Sequence, residues 1–142
     1  LDHLSILVSG QEEGDERKSI DILMTKLRSL VEQTGVGLIL VSHLRRPSGD
    51  AGHENGREVT LSHLRGSASI AHLSDGVIAL ERNQQAEDDV ASNTTTIRIL
   101  KNRYTGDTGI ATHLFYDKDT GRMKEIDNPY EVNDNDGEEI PF

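Results

Sequence analysis

Apolar residues recur at helical spacing through Ile20, Leu23, Met24, Leu27, Leu30 and Val31, with polar residues between them. That period predicts an amphipathic helix, capped by Asp15 and closed by Gly35. The pattern then changes. Val36-Gly37-Leu38-Ile39-Leu40-Val41 is a continuous apolar run, as expected of a central parallel strand covered on both faces. Leu1-Asp2-His3-Leu4-Ser5-Ile6-Leu7-Val8 reads as the end of another buried strand, joined to the helix by the polar stretch 9–16. Strand, helix and strand compose the right-handed crossover unit of an α/β sheet.

From His43 to Val59 the core pattern is lost in a long stretch rich in Pro, Gly, Arg, Asp and Asn, and loops of that length in compact domains are often functional. Residues 60–74 return to helical periodicity, with Thr60 or Ser62 as cap, and Gly76-Val77-Ile78-Ala79-Leu80 reads as a strand. Residues 94–100 and 111–116 are β-branched or alternating. The turn sequence Tyr104-Thr105-Gly106-Asp107-Thr108-Gly109 between them predicts an antiparallel hairpin, and Lys118-Asp119-Thr120-Gly121 a second tight turn. From Asp127 onward little remains to bury. The expected organisation is a domain over residues 1–126 and an acidic disordered tail over 127–142. The expected fold class is α/β, a mostly parallel sheet with flanking helices and a C-terminal antiparallel hairpin.

Composition narrows this picture. Hydrophobic residues make up 34% of the 142, with no Trp and no Cys, so the core rests on Leu, Ile, Val and Ala and no disulfide or thiolate site exists. No run of about 18 apolar residues is present, which points to a soluble protein of the cytoplasm with no membrane partner. The formal charge of −10 opposes nucleic-acid binding at first sight. Its distribution reverses that. Seven acids and no base follow Lys124, leaving residues 1–124 only −3, so a local basic surface is compatible with the body.

Several residues carry chemistry. Asp2 and His43 stand at what read as strand carboxyl ends, where open α/β sheets place ligands. Asp2 suits a Mg²⁺ ligand and His43 a hydrogen-bonding sensor of a phosphate, although a turn aspartate and a surface histidine are the plain structural alternatives. Arg65-Gly66-Ser67-Ala68-Ser69 could approach a phosphate backbone through amides and one guanidinium, with Arg45, Arg46 and Arg57 adding charge. Small-residue helix packing would explain it equally. Lys101-Asn102-Arg103 presents two cations beside the hairpin turn, either simply solvated or placed as an arginine finger.

Taken in order, LDH, GVGLILVSHLRRP, LRGSASIAHLSDGVIALERNQQ and ILKNRYTGDTGIA resemble the later motifs of the superfamily-four, DnaB-like replicative helicases. The nearest likeness is to podovirus primase-helicases, over nearly all of residues 1–124. The resemblance implies an incomplete RecA-like fold and a parent protein that is a homo-hexamer moving along single-stranded DNA with ATP or dTTP and Mg²⁺. It implies Asp2 as the Mg²⁺-binding aspartate, His43 as the γ-phosphate sensor, and Arg103, with Lys101 beside it, as the finger into the adjacent subunit. It further implies Arg82 and Tyr116 flanking the base, His72 reaching toward phosphate where the family commonly has Gln, and Arg45, Arg46, Arg65 and Gly66 on channel loops that hold DNA. The family's phosphate-cradling loop and catalytic glutamate belong to earlier segments without counterpart here, so these residues alone are expected to be inactive.

The end of the chain, Asp134-Asn135-Asp136-Gly137-Glu138-Glu139-Ile140-Pro141-Phe142, resembles the acidic, Phe-ended tips of phage replication proteins. Carboxylates would speed encounter with a basic patch on a replicative polymerase while Ile140 and Phe142 fill an apolar pocket. A solubilising tail is the alternative. For the whole, the alternatives are a RecA-like ATPase that is not a helicase and a docking module acting through its tail.

Overall fold

The computed structural model describes residues 1–8, 13–46, 52–66 and 68–130. A 3-10 turn at Leu4–Val8 precedes helix α1 (Glu13–Thr34); a second 3-10 turn at Leu61–His63 precedes helix α2 (Ala68–Leu73). Strand β1 (Gly76–Arg82), the short helix α3 (Asp89–Ser92) and strands β2 (Thr94–Asn102), β3 (Gly109–Asp117) and β4 (Arg122–Ile126) complete the chain. The α/β class holds. The sheet has the order β1-β2-β3-β4 and is antiparallel at every pairing, so the mostly parallel sheet expected from the sequence is not what these strands form.

Helix α1 follows its apolar period. Ile20 and Met24 are 2% and 5% exposed, and Leu23 and Leu27 pack beside them, against Leu4 and Val8 of the first turn and Ile70 of α2. Removing each such side chain from water contributes roughly 2 kcal/mol. Leu30, on the same predicted stripe, stays exposed. The helix starts at Glu13, ahead of Asp15, which is therefore inside it and not its cap. Gly35 ends it at φ +69°, and its N–H donates to Val31 O at 2.9 Å.

Three sequence expectations change for one reason, that pairing partners decide strands. Residues 36–41 belong to no strand, and Ile39 is 84% exposed. Among the described residues their backbone partners are Leu1, whose amino group donates to Ile39 O at 2.8 Å and whose carbonyl accepts from Val41 N at 2.9 Å, and Leu4, whose N–H donates to Val41 O at 3.0 Å. The two Leu1 bonds have the parallel pattern, but the pairing stops at the Leu4 bond, because residues 4–8 coil into the 3-10 turn where a buried strand end was expected. The predicted helix over 60–74 is broken. Leu64 is extended and bridges Leu44, and Gly66 takes φ +108° before α2 begins.

The hairpin follows its turn chemistry. Asn102 Oδ1 accepts from the N–H groups of Tyr104 and Thr105 at 3.1 and 3.3 Å, and Gly106 and Gly109 take positive φ. Asp117 organises the second turn. Its Oδ1 accepts from Asp119 N and Thr120 N, its Oδ2 holds Lys124 Nζ at 2.6 Å, and Gly121 N closes on its carbonyl. This turn leads into β4, a strand the sequence did not announce because its residues lack apolar alternation.

The covered face of the sheet is polar. Glu81, Thr96 and His113 lie opposite one another across β1, β2 and β3. Glu81, 8% exposed, accepts from Val59 N at 2.7 Å and Arg98 Nε at 2.8 Å, and Thr96 Oγ1 shares a 3.0 Å hydrogen bond with His113 Nδ1. Residues 127–130, assigned by the sequence to the tail, continue the fold. The Tyr130 ring meets His113 edge-on and its hydroxyl donates to Ala91 O at 3.4 Å. The other face leaves Ile78 and Leu80 of β1 exposed. Among the described residues no helix is long and apolar enough to cross a membrane.

The Lys124 ammonium and the turn amides hold the Asp117 carboxyl at about 2, below its ordinary 3.8. Its contribution to stability is therefore complete above pH 3.8 and is lost as pH falls through about 2. Asp117→Asn is expected to be less stable than the wild type at neutral pH and to approach it as pH falls toward 2, checked by thermal unfolding across that window.

Candidate functional site

The predicted site residues fall into three groups, each held by its own contacts. The first lies where residues 43–45 run beside residues 63–65. Arg65 N donates to His43 O at 3.0 Å and Arg45 N to His63 O at 2.7 Å, on either side of the Leu44 and Leu64 bridge. Thus His43 and Arg65, 22 residues apart in the chain, are locked side by side. His3, next to Asp2, sets its ring 4.1 Å from that of His43, tilted by 58°. Asp2, His43, Arg45, Arg46 and Arg65 are exposed.

Gly66 is required by packing as well as by its φ. A Cβ there would run into Cδ1 of the core residue Ile20, so the chain after Arg65 lies directly on α1. Two histidines that sequence reasoning passed over stand alongside. His53 Nε2–H donates to Arg45 O at 3.3 Å, and its ring meets His63 edge-on at 5.2 Å. His63 Nδ1 accepts from Thr60 N at 3.2 Å; burial, then the nearby His53, Arg57 and Arg45, push its pKa down. Arg45 and Arg57 thus add positive potential around a histidine that stays neutral.

The second group is at the last turn of α2. Lys101 Nζ donates to the carbonyls of Ala71, His72 and Ser74 at 2.6, 3.2 and 2.8 Å. A cation there satisfies orphan carbonyls and complements the negative end of the helix. Arg103 lies beside it. Its Nη2 donates to His72 O at 2.8 Å, its Nη1 pairs with Asp75 Oδ1 at 3.1 Å, and its N–H bonds to Asp75 O at 2.8 Å. The His72 side chain is exposed; its carbonyl joins Lys101 to Arg103. Sequence reasoning missed Asp75 and its second partner, Arg28 on α1, because a carboxylate in a Ser-Asp-Gly turn gives no local sign of a cation 47 residues earlier.

The third group gathers on Asn93, which follows α3. Arg82 Nε donates to Ser92 O at 2.7 Å and its Nη2 to Asn93 Oδ1 at 3.1 Å, while Tyr116 N donates to Asn93 O at 2.9 Å. Asn93 is itself buried, with its amide nitrogen on Asp89. Arg82 and Tyr116, from β1 and β3, are thereby brought to one place with the Tyr116 side chain exposed. The predicted partner-binding residues Ile140 and Phe142 lie outside the described residues.

A sequence model of the DnaB-like helicase C terminal domain matches residues 1–125. The chain belongs to that family. It is 50% identical over 124 residues to the DNA helicase/primase of Enterobacteria phage T3, a match covering 87% of this chain and 21% of that protein. This DnaB-like chain thus spans about a fifth of the length of that relative.

Among the described residues of this DnaB-like domain no group of three His, Asp or Glu side chains is placed to hold a metal. Mg²⁺ needs less. It is commonly held by one or two carboxylates together with substrate phosphates and water, so the exposed Asp2 fits as a single protein ligand.

Proposed function

We propose that this chain is the C-terminal part of the RecA-like motor domain of a hexameric replicative DNA helicase, which uses ATP or dTTP with Mg²⁺ to move along single-stranded DNA. The observation that carries it is the Arg65 to His43 hydrogen bond, with His43 in turn against the His3 ring. The residue we assign to register a phosphate is thereby joined through backbone to the basic segment we assign to hold a DNA strand.

In this proposal Asp2 binds Mg²⁺, which when bound supplies neutralising charge to the phosphates. His43 hydrogen-bonds the terminal phosphate and shifts residues 63–66 when that contact is lost, a local change of the kind that moves loops in nucleotide-driven switches. Arg45, Arg46 and Arg65 with the Gly66 backbone hold DNA phosphates. Arg82 and Tyr116 flank the base, the guanidinium edge being occupied by Ser92 and Asn93 so that its face remains for stacking. Arg103 reaches the nucleotide of the neighbouring subunit and stabilises charge on the transferring phosphoryl group. Lys101, its ammonium engaged by three carbonyls, acts by holding the hairpin base and not as a second phosphate cation.

The mostly parallel RecA-like sheet is proposed to be completed by parts of the protein beyond these residues, packing on residues 36–41 and on the exposed Ile78 and Leu80. The whole protein is proposed to work in the cytoplasm of a phage-infected cell. Residues 131–142 are proposed to dock on the replicative polymerase through Ile140 and Phe142.

In the full-length protein, Arg103→Ala is expected to lower nucleotide hydrolysis by about 10³-fold while nucleotide binding changes little; hydrolysis at the wild-type rate would remove the finger assignment. Deleting residues 138–142 is expected to weaken polymerase association, measured by surface plasmon resonance, with hydrolysis unchanged. Equal polymerase affinity with and without them would leave the tail a solubilising segment.

A further inference from the structure

Arg103 is held in a way that its proposed role does not by itself explain. The Asp75 carboxylate, in the turn between α2 and β1, receives two guanidinium groups. Arg28 Nη1 bridges both of its oxygens at 2.9 and 2.8 Å, and Arg103 Nη1 pairs with Oδ1 at 3.1 Å. Arg28 is fixed in turn by Glu32 Oε1 at 2.6 Å, one turn further along α1. The Glu32 hydrogen bond, and then that of Asp75, raise the Arg28 pKa, so this anchor stays charged.

Two consequences follow from this geometry. Arg28, on both oxygens, ties the Asp75 carboxylate to α1. Arg103 meets a carboxylate already engaged and keeps 41% of its side chain exposed. Such a contact, with the His72 carbonyl on the other Nη, sets the plane and direction of the guanidinium without neutralising it. A free arginine side chain carries about 2 kcal/mol of rotamer entropy, and a finger that must meet a phosphoryl group gains rate when that freedom is already lost.

We propose that Asp75, anchored by Arg28, is the positioning residue that pre-orients Arg103 toward the neighbouring subunit's nucleotide. The inference rests on the finger role proposed for Arg103. It predicts that Asp75 acts on turnover and not on nucleotide affinity, and that it acts only through Arg103.

The test is steady-state nucleotide hydrolysis by the full-length protein in the presence of single-stranded DNA, with Arg103→Ala, Asp75→Asn, Asp75→Glu and the Asp75→Asn/Arg103→Ala double variant. Asp75→Asn is expected to lower kcat by about tenfold or more, with KM within about twofold of wild type. The double variant should be no slower than Arg103→Ala alone. Asp75→Glu keeps the charge but displaces the carboxylate, and should also lower kcat at unchanged KM; it stands in should Asp75→Asn fail to fold. Wild-type hydrolysis by Arg103→Ala overturns the finger role and this inference with it. Slow Arg103→Ala together with a wild-type or raised kcat in folded Asp75→Asn, a wild-type kcat in Asp75→Glu, or a further loss in the double variant overturns the positioning role alone.

Discussion

The ammonium of Lys101 and the carboxylate of Asp75 hold the end of β2 against the last turn of α2, and the arrangement of the described residues depends on that joint. On one side lies a small apolar layer, in which α1, α2 and the first turn share Leu4, Val8, Ile20, Met24 and Ile70. On the other is an antiparallel sheet whose covered face is built from Glu81, Arg98, Thr96 and His113 and satisfied by hydrogen bonds. Three carbonyls on Lys101, and Arg28 with Arg103 on Asp75, join these layers. A charged joint of this kind is specific in direction, because each donor must find its acceptor. Breaking one half leaves the other unpaired and costly.

That joint places chemistry at both ends of α2. Ahead of it, Gly66 lies on Ile20 and Arg65 is tied to His43, so the start of the segment is coupled to the turn where Asp2 and His3 stand. At its other end His72 offers its carbonyl to Lys101 and Arg103. A displacement of residues 43–45 would be carried by backbone bonds into residues 63–66, and from there along α2 toward Arg103. In the proposed ring, this is the route by which phosphate loss in one pocket alters the finger proposed for the next.

Turns were legible in the sequence and long-range pairings were not. Asn102, Gly106, Asp117 and Gly121 act within a few residues of themselves, so the β2 and β3 hairpin and the turn after it follow from local chemistry. The apolar run at 36–41 carries a strand's composition, but a strand needs a continuous neighbour, and Leu1 and Leu4 supply three bonds before residues 4–8 coil away. The helix expected over 60–74 gave way because Leu64 pairs with Leu44, a partner no periodicity could reveal. Glu81 would be an unexpected core residue in a strand until Val59 and Arg98 are seen to satisfy it. Of the candidate site, motif order was sufficient to nominate Asp2, His43, Arg65, Arg82, Arg103 and Tyr116. It could not show that Lys101 is turned inward onto helix carbonyls, nor that Asp75, Arg28 and Asn93 hold the nominated residues in place.

A pocket shared between neighbours can be tested without reference to any single residue's magnitude, by mixing. Full-length subunits carrying Asp2→Ala and full-length subunits carrying Arg103→Ala would each be assembled alone and then combined, and nucleotide hydrolysis measured. A composite pocket predicts that each pure ring is inactive and that mixed rings regain activity, at interfaces where an intact Asp2 faces an intact Arg103. Mixed rings as inactive as the pure ones, formed from subunits shown to co-assemble, would contradict it.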